Sequence, residues 1–511
     1  MPQHIKLDPA GVTELRTLNP RLISYNVEMT EVTGGTFWKA YTDAQIDGTE
    51  QVPPPDFSKG LAAMHQWYDP IDTTNPRLIK LAKALGSCWV RVSGTWATRT
   101  YYDFADEYPA GTAPEGYQNV LKKQQWINLL NFVKAVDGKL KISVANCDGL
   151  HSHDEPWNPS QAELIFALSK EQGVPIEAVE FVNEPNMLKN TGFPKDYTAA
   201  DFRRDQDIFH KWVRENYPEC LIVGPSDTDP GAMSADAWGN PHPWAGADAT
   251  AGIAAVMAYC STADLMDGCT EKLDVFSYHY YNGVSERMAA MMPSAFTPAE
   301  GAMSEEYLGA AGHTARCFSS YRDRYCPGGE MWVTESGDAG AGGHTWASTY
   351  LEVPRTLNEI GDFATVTNGV IFHNTLASSD YGWLKHGSFV PRPSYFSVLL
   401  WKKLMGNTAY DAGEARREGA HVYCHSRADG KEGKAYLVIN TSWTDTTTVE
   451  LPKEAVCYRL AGRDGMRSRV MTLNGRELTL GENDALPSLE GENIPAGTVE
   501  LAPGSAAFFV L

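Results

Sequence analysis

The sequence predicts a (β/α)8 TIM barrel followed by an antiparallel β-sandwich, and three observations carry that expectation. Eight short β-branched or aromatic runs recur between about residues 21 and 406. Amphipathic stretches of helical length lie between them, the pattern of βα units and a parallel sheet. After Gly406 the texture changes to short alternating runs broken by Gly, Asn, Asp and Pro, as in antiparallel hairpins.

In chain order the strand candidates are LISYNVEM (22–29), CWVRVSG (88–94), LKISVAN (140–146), AVEFVNE (178–184), LIVGPS (221–226), LDVFSYHYY (273–281), EMWVTES (330–336) and GVIFHNT (369–375). The helical stretches include NPRLIKLAKAL, QQWINLLNFVKAV, PSQAELIFALSKEQG, FRRDQDIFHKWVREN and PSYFSVLLWKKLM. Several open on Asn, Ser or Pro, as helix starts do. No G-x-G-x-x-G follows the first strand, so a doubly wound nucleotide fold lacks its signature. The expected division is a barrel over 19–406 and a sandwich over 407–511, with HIKLDP near the N-terminus adding an edge strand to the sandwich. Segments 227–250 and 282–303 are Gly, Ala, Pro and Met-rich loops after strands five and six, where loops overhang a barrel mouth.

With 511 residues, 43% of them hydrophobic, the chain has material for one large domain and a smaller one. A net charge of -21 disfavours nucleic acid and long polyanions, leaving a small neutral or singly anionic ligand. No apolar run reaches membrane-spanning length, and Met1 to Asn19 lacks the order of a signal peptide. The chain therefore reads as cytoplasmic, or as the mature form of a secreted or periplasmic protein. The nine cysteines form no Cys-x-x-Cys pair. Cys88 and Cys147 sit in apolar contexts and read as buried thiols, whereas Cys260 with Cys269 and Cys317 with Cys326 could each close a loop in an oxidising compartment.

Two glutamates are placed for glycoside hydrolysis, which needs one carboxylic acid to protonate the departing oxygen and a second carboxylate across the scissile bond. Glu184 ends the fourth strand in FVNEPN and Glu335 ends the seventh in MWVTESG, so both should reach one barrel mouth. A strand-end Glu is more often a solvated charge. Here each follows a strand dry on both faces, and the Asn183 amide beside Glu184 can bond a sugar hydroxyl.

At these motifs the sequence resembles the heparanase and β-glucuronidase family of clan-A retaining glycosidases. The resemblance runs through PRLISYNVE, LAKALGSCWVRVSGT, VEFVNEPN, VFSYHYYNG, WVTESGDAGAGG, SSDYGWL, PSYFSVLLWKKLMG, LNGREL, LPSLEG and FFVL. It implies Glu184 as acid/base and Glu335 as nucleophile, with Glu28, Asn183, Gly94 and Thr95 lining the terminal sugar site and Tyr281 beside the nucleophile. It also implies a uronate carboxylate held by backbone N–H groups at Gly342 and Gly343 and by Tyr381, without need of an arginine. Where relatives carry Tyr-Gly-Gly-Gly, this chain reads Gly340-Ala341-Gly342-Gly343, which removes one aromatic contact; Arg99 is a candidate compensating cation.

The implied activity is an exo-acting β-glucuronidase on a carbohydrate substrate, with no cofactor and no metal, and a monomer favoured. An endo-acting heparanase-like enzyme and a glycosidase for a neutral or 4-O-methylated sugar are the alternatives. A metal-dependent barrel hydrolase would use His151 and His153 in LHSHDEP, but no third ligand matches and no H-E-x-x-H is present. A non-catalytic carbohydrate-binding protein would keep tryptophans such as Trp96, Trp244, Trp346 and Trp383 while losing a carboxylate, and both glutamates are retained.

Overall fold

A computed structural model describes residues 3–109, 111–228 and 258–511. Trp244 and most of the expected loop after strand five lie outside these residues.

Eight parallel strands close into a barrel: Ile23–Glu28, Cys88–Ser93, Gly138–Ile142, Ile176–Val179, Leu221–Thr228, Val275–Tyr281, Glu330–Gly337 and Ile371–His373. Each expected run overlaps one of them, but the third and fourth strands begin two residues earlier than expected and the fourth, ending at Val179, shares only residues 178 and 179 with its run. The first and second are buried at every position, as strands lined by helices outside and side chains inside must be. Helices between them include Pro76–Ala84, Lys123–Ala135, Ser160–Glu171 and Ala199–Asn216, followed by Glu305–Tyr325, Glu352–Val366 and Pro393–Leu404. Asn75 opens the first of these by accepting from the Arg77 and Leu78 N–H groups, with Pro76 at the first turn.

The barrel interior is layered. Trp89, Ala178, Val223, Val275, Trp332, Val370 and Phe372 form an apolar plug at the N-terminal end of the strands. Two residues further along the same strands, the inward positions become charged or hydroxylic: Arg91, Lys141, Glu180, Ser277 and Thr334 are all buried. One more step towards the C-terminal end brings the residues of the mouth.

The registers contain two irregularities that matter there. Between strands six and seven, Val333 pairs with Tyr278 but Glu335 pairs with His279, so Thr334 is an extra residue on strand seven. That bulge lets both Thr334 and Glu335 face inward, which strict alternation forbids. Strand five shifts likewise between Pro225 and Asp227, with Ser226 at φ 62°.

The sandwich is built from both ends of the chain. Its smaller sheet joins Gln3–Lys6, Thr447–Leu451 and Gly497–Leu501. Its larger sheet runs Thr13–Thr17, Met405–Asp411, His421–Arg427, Lys434–Ile439, Ala506–Val510, Ala455–Gly462, Met471–Leu473 and Arg476–Glu477, with Glu492–Ile494 paired to Ala455–Gly462. The N-terminal segment thus supplies an edge to each sheet rather than one edge, and Gln3–Lys6 runs parallel to its neighbour in an otherwise antiparallel pairing. The strand Met405–Asp411 straddles the expected division after residue 406.

Alternation assigns the larger sheet two dry faces. Tyr436, Val438, Ala507 and Phe509 pack against Ile5, Val449 and Leu451 inside the sandwich. Leu437, Ile439 and Phe508 join the barrel core on the other side. The Tyr423 hydroxyl lies 2.8 Å from both Asn358 Oδ1 and Asp362 Oδ1 of a barrel helix, within hydrogen-bond reach of each.

All nine cysteines are free thiols. Neither Cys260–Cys269 nor Cys317–Cys326 is joined: Cys260, Cys269 and Cys326 instead donate to the carbonyls of Asn186, Leu265 and Leu273. Among the described residues no helix is long and apolar enough to cross a membrane.

Candidate active site

Glu184 and Glu335 meet at the C-terminal mouth of the barrel. Their carboxylate oxygens and a ring nitrogen of His279 all lie within 4.8 Å of one another. Strand four ends at Val179, so Glu184 stands on the irregular segment beyond it at φ 48°. That left-handed conformation is costly for a residue with a Cβ. Its carbonyl accepts from Thr191 Oγ1 at 2.6 Å and the Met187 N–H at 3.1 Å, which pins it.

Glu335 is held from two sides. Arg91 donates to Oε1 at 3.0 Å, and the Tyr281 hydroxyl donates to Oε2 at 2.8 Å. Tyr281 in turn accepts from Asn374 Nδ2 at 2.9 Å, so its proton is committed to Glu335. Arg91 also donates to Glu180 Oε1 at 2.6 Å and Asn183 Oδ1 at 2.6 Å, and it reaches His279 Nε2 at 3.4 Å. His279 Nδ1 lies 3.0 Å from Glu184 Oε1, and a ring proton on that nitrogen donates to it.

Beneath these groups lies an ion cluster. Glu180 takes Arg91, Lys141, Ser93 and Ser226 as donors. Burial alone would raise its carboxyl, but Arg91 and Lys141 outweigh that and hold it well below the usual carboxylate range. Burial pushes Lys141 down to about 7.

The remaining expected residues fall into two groups. Glu28, Thr95, Tyr281 and Tyr381 line a cavity of about 430 Å³ together with Glu184, Glu335 and Asn374. Burial, then the neighbouring Glu335, push the Glu28 carboxyl well up. Gly94, Asn183, Gly342 and Gly343 support this wall instead of lining it. Gly94, at φ 95°, would place a Cβ 1.5 Å from Glu28 Oε2. Asn183 is buried, with its side-chain carbonyl accepting from Arg91 at 2.6 Å. A Cβ on Gly342 would fall 2.6 Å from Trp38 Cβ, and one on Gly343 would fall 3.0 Å from Tyr381 Cβ. The Gly343 N–H is bonded to the Ala339 carbonyl at 3.2 Å, and the lining residues of this loop are Gly340 and Ala341.

Arg99 reaches the cavity with its Nε on the Gly192 carbonyl at 3.2 Å. Trp96 lines the cavity, whereas Trp346 and Trp383 are core. His151 is buried, its Nε2 2.6 Å from Asn146 Oδ1, and His153 lies 3.5 Å from Asp154; the two form no metal-binding cluster. Among the described residues, Glu184, His279 and Glu335 form the one group placed to hold a cation, and Arg91 already supplies positive charge beside it.

Sequence reasoning missed Arg91, Lys141, Glu180, His279 and Asn374. The signal for the first three was a single charge inside each of WVRVS, LKISV and AVEFV, strands otherwise apolar. Trp38 and His65, which also line the cavity, face each other across a hairpin of Gly35–Trp38 and His65–Tyr68 with ring centroids 4.6 Å apart.

This barrel and its accompanying sandwich are the fold of the barrel glycosidases. The crystal structure of a 4-O-α-L-rhamnosyl-β-D-glucuronidase from Fusarium oxysporum matches 99% of this chain and 100% of its own with a TM-score of 0.61 at 13% identity. In sequence, heparanase-like protein 1 of Arabidopsis thaliana is 23% identical over 86% of this chain and 85% of its own length. A hyaluronoglucuronidase of Hirudo nipponia is 23% identical over 86% of this chain and 90% of its own. No family model matches. The chain is a glycoside hydrolase, similar in sequence to heparanase-like and glucuronidase proteins.

Proposed function

We propose that this protein is an exo-acting β-glucuronidase working with retention, with Glu335 as nucleophile and Glu184 as acid/base. The observation that carries the reading is the pair of carboxylates with oxygens within 4.8 Å. Retaining enzymes need about 5 to 5.5 Å between the groups, whereas inverting ones leave about 6.5 to 9.5 Å for a water. Glu335, aimed by Arg91 and Tyr281, attacks the anomeric carbon while Glu184 protonates the departing oxygen. The His279 Nδ1–H then bonds the carboxylate that Glu184 becomes. Glu184 next takes a proton from the water that releases the sugar.

The uronate part of the reading is supported by the loop after strand seven. Ala341 at φ 63°, Gly342 at φ 88° and Gly343 at φ 86° turn the backbone sharply here, and N–H groups at a turn can face an anion. Tyr381 accepts from Asn374 Nδ2 at 3.2 Å, which leaves its hydroxyl proton to donate. The cavity volume, about 430 Å³, suits a small ligand, and the net charge of -21 opposes a long sulfated chain.

The test is turnover of an aryl β-glucuronide beside the matching β-glucoside, with Glu335→Gly assayed with and without azide. Wild type should prefer the glucuronide. Glu335→Gly should lose on the order of 10⁴-fold in kcat and regain turnover with azide, giving the α-glucuronosyl azide. Hydrolysis of neither substrate, or an α-sugar released first by wild type, would overturn the reading.

A further inference from the structure

We propose that Arg287, with Ser285 and Glu286 beside it, is the positioning element for carboxylate recognition, fixing the loop after strand seven so that its N–H groups are offered to the substrate. The inference rests on the uronate reading above. It assigns a task to a buried cation that the two-carboxylate chemistry leaves unused.

The loop after strand six grips the loop after strand seven carbonyl by carbonyl. The Ser285 N–H donates to the Gly340 carbonyl at 3.1 Å, and Ser285 Oγ donates to the Ala341 carbonyl at 2.9 Å. Arg287 Nη1 donates to the Ala341 and Gly343 carbonyls at 3.1 and 3.0 Å. Glu286 accepts from the Thr345 N–H at 3.1 Å and from Thr345 Oγ1 at 2.7 Å, closing the far end of the grip. The one carbonyl this tripeptide does not reach, that of Gly342, accepts from Ser379 Oγ at 2.9 Å and the Asp380 N–H at 3.2 Å.

The consequence follows from peptide geometry. In a planar trans peptide the C=O and the N–H of the next residue point to opposite sides. Tying down the carbonyls of Gly340 and Ala341 therefore turns the N–H groups of Ala341 and Gly342 away from the clamp; Gly340 and Ala341 line the cavity, and Gly342 follows them in its wall. The Gly343 N–H, spent on Ala339, is the one taken out of use. Arg287 is itself fixed: it pairs with Asp380 Oδ2 at 2.6 Å and lies 3.7 Å over the Tyr41 ring. With Asp380 balancing its charge, it acts through the loop and not as a direct counter-ion. Lysine keeps the charge but lacks the fork that spans two carbonyls and the planar face that stacks on tyrosine.

The experiment is the kinetics of Arg287→Lys and Ser285→Ala on the aryl β-glucuronide and β-glucoside. In Arg287→Lys the glucuronide KM should rise about 10-fold or more with kcat within about 3-fold, and the glucoside values should stay within about 2-fold of wild type. Ser285→Ala removes one hydrogen bond and should shift the glucuronide KM in the same direction by a smaller factor; it decides the matter if Arg287→Lys does not fold. An unchanged glucuronide KM, or an equal loss on both substrates, overturns the inference while leaving the uronate reading in place. A wild type with no preference for the glucuronide overturns both.

Discussion

Gly94 shows how tightly single residues are specified at this site. Its φ of 95° and the Glu28 carboxylate, 1.5 Å from where a Cβ would sit, leave no space for alanine. Gly94→Ala should lower the melting midpoint, by the equivalent of about 1 to 3 kcal/mol for overpacking, and reduce kcat/KM about 100-fold. Adding Glu28→Ala should restore part of the midpoint but none of the activity. Thermal melts and steady-state kinetics of the single and double variants check this, and strictly additive midpoints would show that the two positions do not collide. That Glu184 and Glu335 meet at one mouth was readable because each closes an apolar run with a carboxylate. Arg91 was not, because period-2 alternation says that it points inward but not that Glu180, Asn183 and Glu335, far apart in sequence, converge on its guanidinium.

At the scale of elements, the short helix Met29–Thr33 carries a second buried acid behind the site. Glu31 accepts from the Glu28 N–H at 2.7 Å, and burial pushes its carboxyl up to about 8. A carboxyl raised in the folded state binds its proton more tightly there than in the unfolded chain. Its contribution is complete below the unfolded value of about 4.5 and is lost as pH rises through about 8. Glu31→Gln should therefore match wild type in melting midpoint near pH 5 and exceed it near pH 9. Parallel melts at the two pH values test this; a difference that does not change with pH would falsify it. The barrel strands themselves were legible because each is an apolar run bounded by turn residues. The bulge at Thr334 was not, since one extra residue in a strand leaves no mark on composition, yet it brings Glu335 level with His279.

Across the whole molecule, the two-faced sheet joins sandwich and barrel into one packing unit. Leu437, Ile439 and Phe508 belong to the same buried cluster as Leu81, Trp126 and Leu400 of the barrel helices. A single calorimetric transition is expected, and a chain cut after residue 406 should give no soluble barrel, because the cut removes Leu460, whose carbonyl holds the Tyr350 hydroxyl, and the Tyr423 ring packed on Gly361. Scanning calorimetry and size-exclusion of the truncated chain are the checks, and two resolved transitions would count against it. The alternating texture after Gly406 identified the sandwich but not its partners: nothing local in Gln3–Lys6 or Thr13–Thr17 says that each pairs with a strand some 400 residues away.

That pairing sets a timetable for biosynthesis. The segment from Gln3 to Thr17 is made roughly 400 residues ahead of its neighbours Met405–Asp411 and Thr447–Leu451. At roughly 5 to 20 residues per second, two unpaired strand edges wait on the order of tens of seconds before a ladder exists for them. Lys6 and Arg16, charges within these strands, oppose pairing with a second nascent chain during that interval. The sandwich is thus a seam that stays open until its late strands are made, and a slow codon run between residues 17 and 405 acts directly on how long it does so.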